Sequence, residues 1–153
     1  MNLIRRILLA AAFALTATTF TAPFAQAQEF GQDRGFVGTW YFFITIDGVP
    51  PCQCIQIDTI HADGTIEGPA SDRLSGEQRG VWARTSDGRY TFTILQNNIN
   101  ADGSAGGLYV IKVAMDLTAA NAGSGKFTLQ LLSNGGTPIF SGTGRLTATR
   151  LRP

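Results

Sequence analysis

Basic charge is scarce in this 153-residue chain, and beyond Ala27 none of it forms a run. Lysine occurs only at Lys112 and Lys126, and Arg73, Arg79, Arg84, Arg89, Arg145 and Arg150 stand well apart from one another. A nucleic-acid footprint needs a basic stripe, and an anionic lipid surface needs a polybasic cluster, so neither class of partner is expected. Histidine occurs once, at His61. That leaves no pair of imidazoles for a metal site, and no serine stands in a nucleophile-elbow context beside it. A glycine-rich phosphate loop, a paired-carboxylate signature and a cofactor fingerprint are all missing, so no cofactor is expected. Beyond Ala27 no segment holds a sustained 3.6-residue apolar period, and none is apolar for long enough to span a bilayer as a helix.

What is present begins with an N-terminal targeting pattern. Arg5 and Arg6 form a basic n-region, Ile7–Phe20 is apolar, and Ala25-Gln26-Ala27 is a small-x-small cleavage site. The apolar stretch falls short of the roughly 20 residues that cross a bilayer as a helix. Residues 1–27 therefore read as a signal peptide, and the mature chain is expected to be secreted or periplasmic, in the manner of a bacterial exported protein. With no Cys near the cleavage point, a lipid anchor is not expected. The remaining 126 residues suit one domain. Glu29–Phe36 is polar and contains glycine; residues 28–36 read as a leader segment and 37–153 as the folded domain.

Turn signals punctuate that domain: Asp47-Gly48, Asp63-Gly64, Asp87-Gly88, Asp102-Gly103, Asn121-Ala122-Gly123 and Asn134-Gly135-Gly136. Such pairs supply the positive φ angles that tight hairpins need. Between them lie runs rich in Ile, Val, Phe, Tyr and Thr, which suit a pleated strand. Eight strands result: Val37–Asp47, Cys52–His61, Thr65–Pro69, Glu77–Thr85, Arg89–Gln96, Gly107–Leu117, Gly125–Leu132 and Pro138–Leu151. Ala70–Gly76 is a polar loop. The fold class is all-β, an antiparallel up-and-down eight-stranded barrel, with a β-sandwich as the alternative. Closure is favoured because an open meander leaves two exposed edges, and because the long crossovers of a Greek-key sandwich are missing. Gly142 and Gly144 inside the last strand mark a bend or a close backbone approach.

Gly38-Thr39-Trp40-Tyr41 opens the first strand, and Ala62-Asp63-Gly64-Thr65-Ile66-Glu67-Gly68 follows the second. These strings resemble the opening strands of the calycins, the lipocalin and avidin-type barrels. The resemblance implies a small-molecule cavity with Trp40 closing one end, and an arginine late in the last strand, Arg145 or Arg150, stacked over that Trp. Biotin binding is not implied, because avidins wall their site with several tryptophans and this chain has only Trp40 and Trp82.

Alternation collects an apolar stripe that would line one interior, with Trp40, Phe42, Ile44, Trp82, Tyr90, Phe92, Phe127 and Leu129 as candidate ligand-binding residues. The same residues would equally form a filled core. Cys52 and Cys54 point the same way on a strand, close to the upper limit of about 6.8 Å between Cα atoms that a disulfide tolerates. A local disulfide, two unpaired thiols and a minor redox role all stand as readings. Asp58 shares a strand face with Cys54, Gln56 and Ile60; if that face points inward, Gln56 and Asp58 are buried polar groups that need partners. His61 begins a turn, and no catalytic or metal-binding residue is assigned. Tyr41, Phe43, Tyr109 and Ile111 form a candidate outward set for a homo-oligomer. The expected function is a secreted barrel that binds a small apolar molecule. The alternatives are a cyclase- or isomerase-type enzyme with an apolar cavity, and a filled barrel acting through its surface.

Overall fold

The computed structural model describes residues 35–50, 54–70 and 72–152. The expected signal peptide and most of the leader lie outside these residues, as does Cys52. Eight strands follow one another: β1 (Gly38–Ile46), β2 (Cys54–Ile60), β3 (Thr65–Gly68), β4 (Ser75–Arg84), β5 (Tyr90–Ile99), β6 (Ala105–Ala119), β7 (Ala122–Leu132) and β8 (Pro138–Arg150). Each pairs antiparallel with the next, and β8 pairs with β1, so the sheet is a closed up-and-down barrel. The sandwich alternative is thereby excluded, because a sandwich has no such seam.

That seam runs from Trp40 opposite Arg150 to Ile46 opposite Gly144. Backbone hydrogen bonds extend it at both ends, Leu151 N to Thr39 O and Asp47 N to Thr143 O, each 2.9 Å. Closure satisfies the donors and acceptors that an edge strand would leave to solvent. The Asp-Gly and Asn-Gly-Gly turns show what glycine supplies: Gly48, Gly64, Gly88, Gly103 and Gly136 have φ of 75°, 88°, 87°, 83° and 82°. The side chain at each turn start adds a second clamp. Asp63 Oδ1, for example, accepts from the Thr65 N–H at 2.9 Å and from its hydroxyl at 2.6 Å.

Residues alternate in and out along every strand. The inward set includes Trp40 and Phe42 of β1, Gln56, Asp58 and Ile60 of β2, Ile66 of β3, Gln78 and Trp82 of β4, Tyr90 to Gln96 at every second place of β5, Val113 and Met115 of β6, Phe127 and Leu129 of β7, and Leu146 and Ala148 of β8. Tyr109 and Ile111 also point inward and pack against this core, which corrects their assignment to an outward apolar set. They sit at even spacing from buried Val113 and Met115, so they share that face. Gly144 is buried where β8 bends past β7; a Cβ there would overlap the Phe127 ring and the Thr45 carbonyl. A shift in register between Ser75 and Gln78 marks a β-bulge in β4, which puts odd-numbered Ser75 and even-numbered Gln78 both inside.

Candidate functional site

The two ends of the barrel differ. At the end where β1 begins, aromatic rings fill the lumen. Phe36 is wholly buried, with its ring centroid 5.7 Å from Trp40, 5.5 Å from Trp82, 4.7 Å from Tyr90 and 5.7 Å from Phe92. Edge-on and tilted contacts at these separations are the favourable arrangements for aromatic quadrupoles. The chain is tied over the plug by polar contacts: Trp40 Nε1 donates to the Phe36 carbonyl at 2.7 Å, and Trp82 Nε1 donates to the His61 carbonyl at 2.8 Å. The Arg150 guanidinium lies 5.0 Å above the Trp40 ring and donates to the carbonyls of Gly35, at 2.7 Å, and Val37. Cation–π stacking and two charge-assisted hydrogen bonds therefore seal this end from one side chain.

The opposite end is open. A cavity of about 590 Å³ lies between Ile44 and Ile46 of β1, Cys54 and Gln56 of β2, Gln96 of β5, Tyr109 and Ile111 of β6, and Phe127 and Leu129 of β7. Pro69, Ala70 and Asp72, from the polar loop between β3 and β4, form part of its rim. Its volume falls within the range of about 300–1,000 Å³ typical of small-molecule sites.

The candidate ligand-binding residues thus divide. Trp40, Phe42, Trp82, Tyr90 and Phe92 pack with Phe36 at the sealed end, and Ile44, Phe127 and Leu129 line the open one. Phe36 was hidden from sequence reasoning by its polar, glycine-containing surroundings. Its place four residues before Trp40 is the one usable signal. Cys54 is disulfide-bonded at the cavity wall.

One wall of the lumen is polar. Gln56 Nε2 donates to Asp58 Oδ2 at 2.7 Å and also to Gln78 Oε1. Gln96, the cross-strand partner of Gln78, donates to the Gly76 carbonyl at 3.2 Å. Asp58 is 0 % exposed, and burial pushes its carboxyl up from 3.8 to about 7, with the Gln56 hydrogen bond opposing that shift. Among the described residues, Asp58 Oδ1 and Gln78 Nε2 have no hydrogen-bond partner. Glycine makes the room: a Cβ on Gly68 would land on Asp58 Oδ1. Gln56 stands between this cluster and the cavity. His61 lies elsewhere, 3.9 Å from Glu67 on the outer side. Among the described residues, no group of three or more His, Cys, Asp or Glu side chains is placed to hold a metal ion.

A second concavity of about 1150 Å³ crosses the outside of the barrel. It follows one row of cross-strand partners, Trp82, Phe92, Val113, Phe127 and Gly144, seen from their outer side. Its floor is largely Thr and Ala, with Lys112, Lys126 and Arg145 along β6 to β8. Although larger, it is an open trough whose polar groups point to solvent. The mouth, where buried polar side chains converge, is the candidate site.

The molecule is thus defined as a closed eight-stranded antiparallel barrel, plugged at one end and open at the other. Comparison with protein-family models, curated proteins and solved structures finds no match for this chain. Among the described residues, no helix is long and apolar enough to cross a membrane.

Proposed function

We propose that this protein is an exported calycin-like barrel that takes a small, largely apolar molecule into its open mouth. The observation that carries the reading is the cavity itself: about 590 Å³, walled on one side by Ile44, Ile46, Ile111, Phe127 and Leu129, above a lumen that aromatic rings have closed. Burying an apolar ligand there gains about 25 cal/mol for each Å² removed from water, and the rigid barrel keeps the ordering cost low. The calycin likeness rests on Gly38-Thr39-Trp40 at the sealed end, with Arg150 stacked over Trp40. Export rests on the n-region, apolar stretch and cleavage pattern of residues 1–27.

Native mass spectrometry of protein purified from its own host tests the reading, together with displacement of an environment-sensitive lipophilic dye. A copurified small molecule, or dye binding that Ile44→Trp abolishes, supports it. Protein that arrives empty and binds no lipophilic probe refutes it.

One observation favours a second reading, an isomerase- or cyclase-type enzyme. Asp58 titrates near neutrality, where a carboxyl can both hold and release a proton, and Tyr109 lines the cavity. Asp58, however, is shielded from the cavity by Gln56. A carrier is therefore the better fit, and the enzyme reading requires turnover that Asp58→Asn removes.

A further inference from the structure

Two buried amides, Gln56 and Gln96, line the mouth, and the polarity of the first is set by the residues behind it. Gln56 has two amide hydrogens and one carbonyl oxygen. Both hydrogens are used inward, one on Asp58 Oδ2 at 2.7 Å and one on Gln78 Oε1. With Asp58 ionised, as at pH 8, turning the amide over would set its oxygen against the Asp58 carboxylate and the Gln78 carbonyl, neither of which can donate to it. The orientation is therefore determined by its partners, and Oε1 is the end left for the cavity that Gln56 lines. No donor reaches Oε1 among the described residues.

Charge reinforces this selection. Among the described residues, no Lys or Arg lines the mouth, and Asp72 at the rim is its one carboxylate. A second carboxyl, Asp58, lies directly behind Gln56. An anionic headgroup would lose its hydration here and meet no cation among the described residues, only the neutral donors that Tyr109 and Gln96 can offer. Two deeply buried polar atoms in the same cluster, Asp58 Oδ1 and Gln78 Nε2, lack partners among the described residues. Such atoms are rare and costly in a wall that serves packing alone.

We infer that the mouth selects a neutral, largely apolar molecule carrying a hydrogen-bond donor, a hydroxyl or N–H, and discriminates against carboxylates such as fatty acids. The donor bonds to Gln56 Oε1 while the apolar body lies against Ile44, Ile111, Phe127 and Leu129. Gln56 is the specificity residue, and Asp58 and Gln78 are positioning residues that act through it. Tyr109 does not oppose this choice, since its hydroxyl can donate or accept. The inference rests on the mouth being the binding site.

Three probes of matched chain length separate the possibilities: decanol, a donor; methyl decanoate, an acceptor only; and decanoate, an anion. Each is titrated against full-length mature protein at pH 8 by displacement of a lipophilic dye. Decanol is expected to bind at least about tenfold more tightly than either of the others, because a site that spends its polar groups on one hydrogen-bonding pattern penalises ligands that leave it unpaired. Gln56→Met is expected to erase the difference between decanol and methyl decanoate while keeping overall apolar affinity. Should that variant not fold, the wild-type ranking alone decides. Equal affinities, or decanoate binding best, overturn the donor preference and leave the cavity reading standing. Failure of all three to bind overturns both.

Discussion

Asp58→Asn should stabilise the protein at neutral and alkaline pH, and the gain should vanish in mild acid. The carboxyl is 0 % exposed, and burial is the larger of the two influences on it, so its value rises from 3.8 to about 7. Because the folded value lies above the unfolded one, the native state between about pH 4 and pH 7 keeps a proton that the unfolded chain has released. Asp58 therefore lowers stability as pH rises through that window, the reverse of a salt-bridged carboxylate. The shift is about three pH units, which corresponds to about 4 kcal/mol at pH 8 relative to pH 4. Asn is nearly isosteric, can accept from Gln56 as the protonated acid does, and carries no charge into the barrel. Urea denaturation of both proteins at half-unit steps from pH 4 to pH 8.5 reads the effect. The variant should match the parent within about 1 kcal/mol at pH 4 to 5 and exceed it by about 2–4 kcal/mol at pH 8. Parallel curves, or a variant less stable at pH 8, would show that Asp58 is not a desolvated carboxyl in the native state.

Phe36→Ala empties the centre of the aromatic plug and should cost about 3–5 kcal/mol in denaturation, although residue 36 precedes the first strand. Arg150→Met should lose about 2 kcal/mol through the stacked cation and the hydrogen bonds to Gly35 and Val37. A double-mutant cycle of these two changes should be non-additive, since both hold the same segment, and additivity would contradict that coupling. Gly144→Ala drives a methyl into the Phe127 ring and should cost at least about 1–3 kcal/mol. Gly135→Ala, which meets only the Ser133 hydroxyl at 3.8 Å, should stay within about 0.5 kcal/mol by the same thermal-melt comparison. On the acid side, Asp63, Asp87 and Asp102 are held below the ordinary carboxylate value, first by side-chain hydrogen bonds from Thr65, Thr85 and Ser104 respectively. Their contribution is present above the unfolded carboxylate range and is lost as pH falls below it, so a stability-against-pH curve should turn downward below about pH 4. A curve that keeps rising toward pH 2 would contradict those turn bonds.

The barrel could be read from the chain because its signals are local. A glycine at most of the turns and a period of two between them locate all eight strands to within a few residues, although Gly123 lies inside β7 and the β6–β7 turn is made at Ala120-Asn121. The pairing of Trp40 with a late arginine survives too, since it joins a motif to a strand end. The inner surface of β2 was less accessible. Two of its three isoleucines, Ile55 and Ile57, are 42 % and 40 % exposed, while Gln56 and Asp58 face inward with Ile60. A rule that sends apolar side chains inside inverts this strand. The orientation follows only from register: Asp58 lies opposite Trp40 and Gln56 opposite Phe42 on β1, and cross-strand partners share a face. Phe36 was hidden for a related reason. Its burial depends on where the chain passes across the barrel end, and no local pattern records that. The division of the lumen into plug and mouth likewise depends on the ring of Phe36 reaching Trp82 of β4 and Tyr90 and Phe92 of β5, far away in the chain.

The claim on which the rest depends is that the open end of the lumen, and not the trough on the outer face, is where this barrel meets its ligand. Amide and methyl NMR of isotope-labelled mature protein titrated with decanol tests it most directly. The account predicts saturable shifts centred on Ile44, Gln56, Ile111 and Leu129, with Thr91, Lys112, Ala114 and Lys126 unmoved. Shifts confined to those four outer positions would contradict it.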